Sequence, residues 1–255
     1  ELPVTDTRVS PFVQLRSYVA DYHRVHDFET LGLEEDFRVG HEAVVRLYPA
    51  TRQVASTRDM LGTHAALGYG VRLGSGIARA IAASTIEKST RAATDATFQL
   101  SARLVTPRVG FGRFVYDGLL VNHYENYLNE RLTVGGDGRL RGYAPQAFIG
   151  KDVVASNLEF RTRPVQIWSV QVGGAAFYDA ADAFDGISDL RLKHAVGVGL
   201  RTVFPQAERT VFRADYGVPV TSSGLVFPGA LFIAFGQAFG MPSIPAPSLE
   251  TEYGD

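Results

Sequence analysis

The chain has 255 residues, 25 Lys and Arg against 27 Asp and Glu, a net charge of −2, 26 glycines and no cysteine. That balance argues against a nucleic-acid surface, which needs one basic face, and the lack of cysteine excludes disulfide staples and thiolate zinc sites without fixing the compartment. The longest apolar runs are a few residues, as at Leu119-Leu120-Val121, which excludes a membrane helix of ~20 apolar residues but not barrel strands of ~9–11 that are apolar at alternate positions.

Alternation with a period of two dominates the chain. A weak alternating segment at 11–28 leads into 38–48, 62–73 and, again weakly, 76–87. In 96–105, Ala96, Phe98, Leu100, Ala102 and Leu104 share one face, and Thr97, Gln99, Ser101 and Arg103 the other. Segment 111–121 precedes a long polar, Gly-rich stretch at 122–151. In 153–163, Leu158 and Phe160 oppose Asn157, Glu159, Arg161 and Arg163; in 166–177, Trp168, Val170 and Val172 oppose Ser169, Gln171 and Gly173. Segments 195–204 and 209–218 follow, and 229–239 sets Leu231, Ile233, Phe235 and Phe239 against Ala230, Ala234, Gly236 and Ala238. The reading is all-β and antiparallel, about eleven strands with no amphipathic helix.

Alternation suits a soluble β-sandwich as well as a membrane barrel. Connector lengths favour the barrel. Short links at 31–34, 74–75, 106–110, 164–165 and 205–208 interleave with longer ones at 49–61, 88–94, 122–151, 178–193 and 218–228, as short periplasmic turns alternate with long extracellular loops. Aromatics near strand ends (Tyr48, Tyr116, Trp168, Phe177, Phe204, Tyr216, Phe239) fit interfacial girdles. The expectation is an antiparallel transmembrane β-barrel over 1–239 with loop 122–151 folded into its lumen. The tail 240–255, rich in Pro and Ser with acidic residues near its end, reads as disordered. The chain begins at Glu1 with no charged-apolar-small leader, so any export signal is expected to be removed or to lie upstream.

Catalytic and metal chemistry find little footing. His23 and His26 stand near Asp21 and Asp27, but their odd spacing puts the rings on opposite faces of a strand. Ser84 and Ser89 lack a G-x-S-x-G frame. Gly68-Tyr69-Gly70 and Gly74-Ser75-Gly76 are not followed by a helix that would supply an anion-binding N-terminus. No catalytic residue, cofactor or metal site is expected.

From about residue 110 onward the chain resembles the Omp85 superfamily (surface antigen D15), the BamA/TamA-type and two-partner-secretion barrels. Leu140-Arg141-Gly142-Tyr143 matches the V/L-R-G-F/Y motif at the tip of that family's inward-folded sixth extracellular loop. Asn157-Leu158-Glu159-Phe160-Arg161 fits the following strand, and Gly173 to Asp179 matches the F-x-D-x-G strand motif, with Ala181 standing where the family has Gly. Gly197 to Arg201, Arg213 to Gly217 and Phe235 to Phe239 read like the last three strands. The resemblance implies location in the bacterial outer membrane and insertion, assembly or translocation of other proteins there, without a nucleotide. Its partners would be membrane lipids, client outer-membrane or secreted proteins, and periplasmic POTRA modules or lipoproteins. The alternative is a passive pore or a membrane anchor for a fused or partner secreted domain. Superfamily barrels usually have sixteen strands, five of them after the loop motif. Five follow it here but only about six precede it, so the chain reads as the C-terminal part of a longer barrel or as a twelve-stranded form.

Parity alone puts Glu159 and Asp179 on the lumen side, on neighbouring strands. Arg141 is expected to pair with one of them through bidentate, charge-assisted bonds. Gly142 would allow the tight turn and Tyr143 would stack on the inner wall, with Phe177 among the lumen partners. Segment 229–239, weakened by Gly229 and Gly236 and carrying Phe235 and Phe239, is expected to form one lip of a seam between first and last strands.

Overall fold

The structure is a computed structural model that describes residues 3–91, 94–137, 139–206 and 208–245. In chain order the strands are β1 (Val13–Tyr18), β2 (Asp21–His26), β3 (Glu34–Ala50), β4 (Met60–Leu73), β5 (Gly76–Ser89), β6 (Asp95–Val105), β7 (Gly112–Asn126), β8 (Leu132–Val134), β9 (Phe148–Gly150), β10 (Asp152–Thr162), β11 (Val165–Ile167), β12 (Val170–Phe184), β13 (Lys193–Phe204), β14 (Glu208–Thr221), β15 (Gly224–Leu225) and β16 (Ala230–Phe235). All the long strands join one antiparallel 14-stranded meander, β1-β3-β4-β5-β6-β7-β10-β12-β13-β14-β15. β2 also pairs with β3, β11 with β12 and β16 with β14, while β8 and β9 form a separate hairpin.

The sheet is not closed, which corrects the expected barrel. Among the described residues no ladder joins β1 or β2 to β16. Both edges are short. β1, β2 and β16 have six residues each, against 11–17 in the long strands between them. The segment read as one strand at 11–28 is broken where Gly40 (φ 86°) bulges β3 opposite Val19, so β1 and β2 pair with separate halves of β3. At the other edge, Gly236 (φ 86°) stops β16 well short of Phe239.

The two faces are the inverse of a soluble core. Large apolar side chains such as Leu67 and Tyr69 of β4, Leu158 of β10, Val198 of β13 and Ile233 of β16 are exposed. The opposite face buries Glu42, Arg79, Arg103, Asp117, Glu159, Asp179, Arg201 and Asp215. The covering sheet that a sandwich requires over the apolar face is absent among the described residues. The polar face is filled instead by the turn at 27–33, the loop at 127–147 and the segment at 237–245. Arg79 of β5 donates to the Pro242 carbonyl (2.8 Å), Arg103 of β6 to Phe239 (2.6 Å) and Arg161 of β10 to Phe28 (2.9 Å). Residues 241–245 have no regular secondary structure and lie against Glu29 and Arg79. The rest of the tail read as disordered, 246–255, is outside the described residues.

Several local expectations change. Trp168 (φ 52°) is the tip of the β11–β12 hairpin and is 93% exposed, so it does not alternate with Val170 and Val172 on one strand. β12 runs on to Phe184, seven residues into the stretch read as a connector, and its Ala181 and Ala183 are buried against Val134 and Leu140 of the inward loop. Tyr48, Phe177 and Phe239, read as girdle aromatics, are buried, and Tyr48 donates to Glu87 (2.9 Å).

Candidate functional site

The site is the tip of the loop between β7 and β10. The β8–β9 hairpin, with Leu132 opposite Gly150 and Val134 opposite Phe148, carries the chain out and back, and an isolated bridge from Gly136 to Leu140 tightens the tip. Arg139 (φ 74°) and Gly142 (φ 102°) turn the backbone so that Leu140 and Arg141 both face the sheet. Leu140 is fully buried in a cluster with Val134, Val153, Ala155, Ala181, Ala183 and Ala195. The Ala181 methyl, at the position where the resembling family has Gly, is therefore part of the apolar bed under the loop.

Arg141 is 1% exposed. Its Nε donates to Asp179 Oδ2 (2.9 Å), its Nη2 to Asp179 Oδ1 (2.8 Å), and its Nη1 to Glu159 and to Asp215 Oδ2 (3.2 Å). The main-chain N–H of Arg141 adds a bond to Asp179 Oδ2 (3.1 Å), and the guanidinium carbon lies 3.6 Å from the centre of the Phe177 ring. Burial alone would lower the pKa of this guanidinium, but the Asp179, Glu159 and Asp215 carboxylates outweigh it and hold the pKa above its usual value. Arg141 is thus a fixed cation at any physiological pH.

Further arginines balance these acids. Glu159 also accepts from Arg161 (2.7 Å), and Asp215 from Arg201 and Arg213 (2.9 Å), while Arg213 reaches Asp137 in the loop itself. Four guanidiniums (Arg141, Arg161, Arg201, Arg213) thereby meet four carboxylates (Asp137, Glu159, Asp179, Asp215). Burial of charge is tolerated only with such pairing. Both oxygens of Glu159, Asp179 and Asp215 are engaged, Asp179 Oδ1 also by Asn157 (2.8 Å). None of the three is left as a general base. The centre is built to hold the loop tip in place. A second contact of the same kind joins Arg139 and Arg103 (2.7 Å to Arg103) to Asp117.

The approach depends on glycine in the facing strands. A Cβ on Gly217 of β14 would lie 2.7 Å from the Gly142 nitrogen, and one on Gly142 would lie 2.9 Å from the Gly217 carbonyl carbon. A Cβ at Gly199 would fall on the Asp215 and Arg201 side chains, and one at Gly197 on Phe177. Backbone therefore lies on backbone where the tip crosses β14.

The structure brings Arg141, Gly142, Glu159, Asp179 and Phe177 into one contact network, and Phe239 joins it, its ring 5.4 Å from Arg141 and 5.1 Å from Arg139. Tyr143 stacks edge-on with Phe148 of the loop's own hairpin (5.3 Å), and its hydroxyl reaches the wall at the His194 carbonyl (3.3 Å). Phe235 lies apart from this centre, whereas Gly229 lies against the Gly217 carbonyl, beside the loop tip. Gly229 (φ 72°) enters β16, Phe235 is 74% exposed beside Phe212, and Gly236 ends the strand. Sequence reasoning did not assign Asp215, Arg201 and Arg213 to the loop, although they stand at same-face spacing around Gly199 and Gly217. Compared with known proteins, the chain matches no family model and no curated protein.

Proposed function

We propose that the chain is an outer-membrane antiparallel β-sheet of the Omp85 type that acts in insertion, assembly or translocation of other β-rich proteins. The observation that carries this reading is the arginine at the tip of the inward loop, gripped by carboxylates from β10, β12 and β14. The exposed apolar face is suited to lipid, since burying it there gains what water cannot supply. The polar face never meets the hydrocarbon. The unpaired edges of β1 and β16 are the lips at which an incoming strand pairs, its main-chain hydrogen bonds supplying the affinity and no nucleotide being needed. Three chain segments on the polar face favour this reading over the alternative of a passive pore or a membrane anchor for a fused or partner secreted domain.

The test reconstitutes the full chain in phosphatidylcholine–phosphatidylglycerol vesicles and adds a urea-unfolded outer-membrane barrel as client. Faster protease protection of the client than in protein-free vesicles, with a disulfide trapped between the client and a cysteine at Ile233 or Leu15, supports the reading. Release of the chain by carbonate, or a steady single-channel conductance with no effect on the client, overturns it.

A further inference from the structure

Near the short-turn ends of β7, β10 and β13, three buried guanidiniums share one small cavity. Arg113 of β7 and Arg161 of β10 stand directly opposite each other across their ladder, and Arg201 of β13 stands opposite Gly173 of β12. All three are at most 7% exposed. Arg113 Nη1, Arg161 Nη2 and Arg201 Nε are buried without a hydrogen-bond partner. Arg161 spends its other donors on Glu159 and the Phe28 carbonyl, and Arg201 on Asp215 and the Leu200 carbonyl, whereas Arg113 forms no ion pair among the described residues and rests on the Phe28 ring, 4.8 Å away. Arg163 and the ion pair of Arg108 with Asp27 (2.7 Å) also line the cavity, so its one carboxylate is already neutralised. The cavity holds about 20 Å³, against roughly 10–15 Å³ needed for one water.

We propose that this cavity is a binding site for one small monovalent inorganic anion of the size of chloride. Like charges placed directly opposite on a sheet repel, and orphaned buried donors cost free energy. A water offers two acceptor sites to three donors, leaves the charge surplus in place and brings protons of its own. A monatomic anion accepts from all three and cancels one positive charge. The Gln237 Oε1 atom at the same cavity is likewise buried and unpartnered. Turning that amide over, a choice its hydrogen bonds must decide, presents a fourth donor. Gly173 creates the room. A Cβ there would meet Leu31 and Thr162 only at 3.7 Å, so the missing side chain leaves space between Arg161 and Arg201. Tetrahedral oxyanions are too large. Because Arg161 and Arg201 also hold Glu159, the anion sits one side chain from the Arg141 centre, though the proposal does not rest on what that centre is for.

The experiment follows thermal unfolding of the full chain in detergent micelles, in sodium chloride and in sodium gluconate at matched ionic strength, gluconate being too bulky for the cavity. Chloride should raise the unfolding temperature by a few degrees and saturate, as a site that binds only the folded state requires. Gly173→Val, which fills the cavity with methyls, and Arg113→Gln, which removes the surplus cation, should each abolish the difference between the salts. Identical curves in the two salts for the unaltered chain overturn the site. So does a chloride effect that climbs without saturating or persists in Gly173→Val.

Discussion

Arg141 and Asp179 hold each other through two parallel hydrogen bonds, Nε to Oδ2 at 2.9 Å and Nη2 to Oδ1 at 2.8 Å, with the Arg141 main-chain N–H added at 3.1 Å. One carboxylate of β12 thus fixes both the side chain and the backbone of the loop tip. This geometry needs a planar fork, which an ammonium cannot supply.

Removal of Arg141 should therefore be costly beyond the loss of its own bonds. Arg141→Ala leaves Glu159, Asp179 and Asp215 buried with too few cations, and breaking a buried pair from one side costs about 3–5 kcal/mol. Arg141→Lys keeps the charge but loses the fork, and should fall between alanine and the unaltered chain. Limited proteolysis within 127–147, read beside thermal unfolding, measures this. Unchanged loop protection in Arg141→Ala would show that the tip is held by its apolar bed alone.

Asp215 should matter more than Asp137, although both bind Arg213. Asp215 is fully buried and serves Arg141, Arg201 and Arg213, while the Asp137 side chain is 45% exposed. Asp215→Asn should cost several kcal/mol by stranding buried guanidiniums. Asp137→Asn removes a partly solvated partner and should cost about 1 kcal/mol or less. Chemical unfolding of both variants gives the ratio, and equal effects would mean that the loop end of the network carries as much as its centre.

Gly217→Ala tests the backbone contact without altering a charge. The new methyl would sit 2.7 Å from the Gly142 nitrogen and 2.8 Å from the Arg141 carbonyl carbon, neither of which can yield like a flexible side-chain end. The loop tip should lift, with faster cleavage in 127–147 while the sheet keeps its circular dichroism. Gly186→Ala is the matched control, since its nearest neighbours lie at 3.8 Å and its backbone is extended. Equal cleavage in the two variants would remove the close approach from the account.

Much of this was legible in the sequence because a strand has a strict period. Leu158 outward and Asn157, Glu159 and Arg161 inward follow from alternation alone, as does the inward Asp179. Pairing of Arg141 with one of the two acids follows from parity and charge, and the structure engages both. Positive-φ backbone was not legible. Gly40 reads as an ordinary member of an alternating segment and Gly236 only as a weak point of the last strand, yet Gly40 bulges β3 so that β1 and β2 part, Gly236 ends β16, and Trp168 turns a hairpin at a φ that few bulky residues adopt. Closure was not legible either, because alternation reports which face a residue takes and says nothing about which strands meet. Asp215 escaped notice because the strand that carries it lies 74 residues beyond Arg141 in the chain.

Phe239 and Phe235 share strand parity but occupy opposite worlds, and their alanine variants should separate the two faces. Gly236 frees the chain from β16, so the Phe239 ring turns beneath Arg139 and Arg141 while its carbonyl accepts from Arg103 at 2.6 Å. Phe239→Ala loses two cation–π contacts, each worth about 0.5–2 kcal/mol, and the ring that fills the space under the loop. Hydrogen exchange at residues 139–142 should quicken in this variant. Phe235→Ala trims the exposed apolar face and should leave that exchange unchanged while lowering retention of the protein in vesicles after a carbonate wash. If Phe235→Ala instead loosens residues 139–142, the last strand and the loop tip are coupled through the sheet, and the edge cannot open without releasing the arginine.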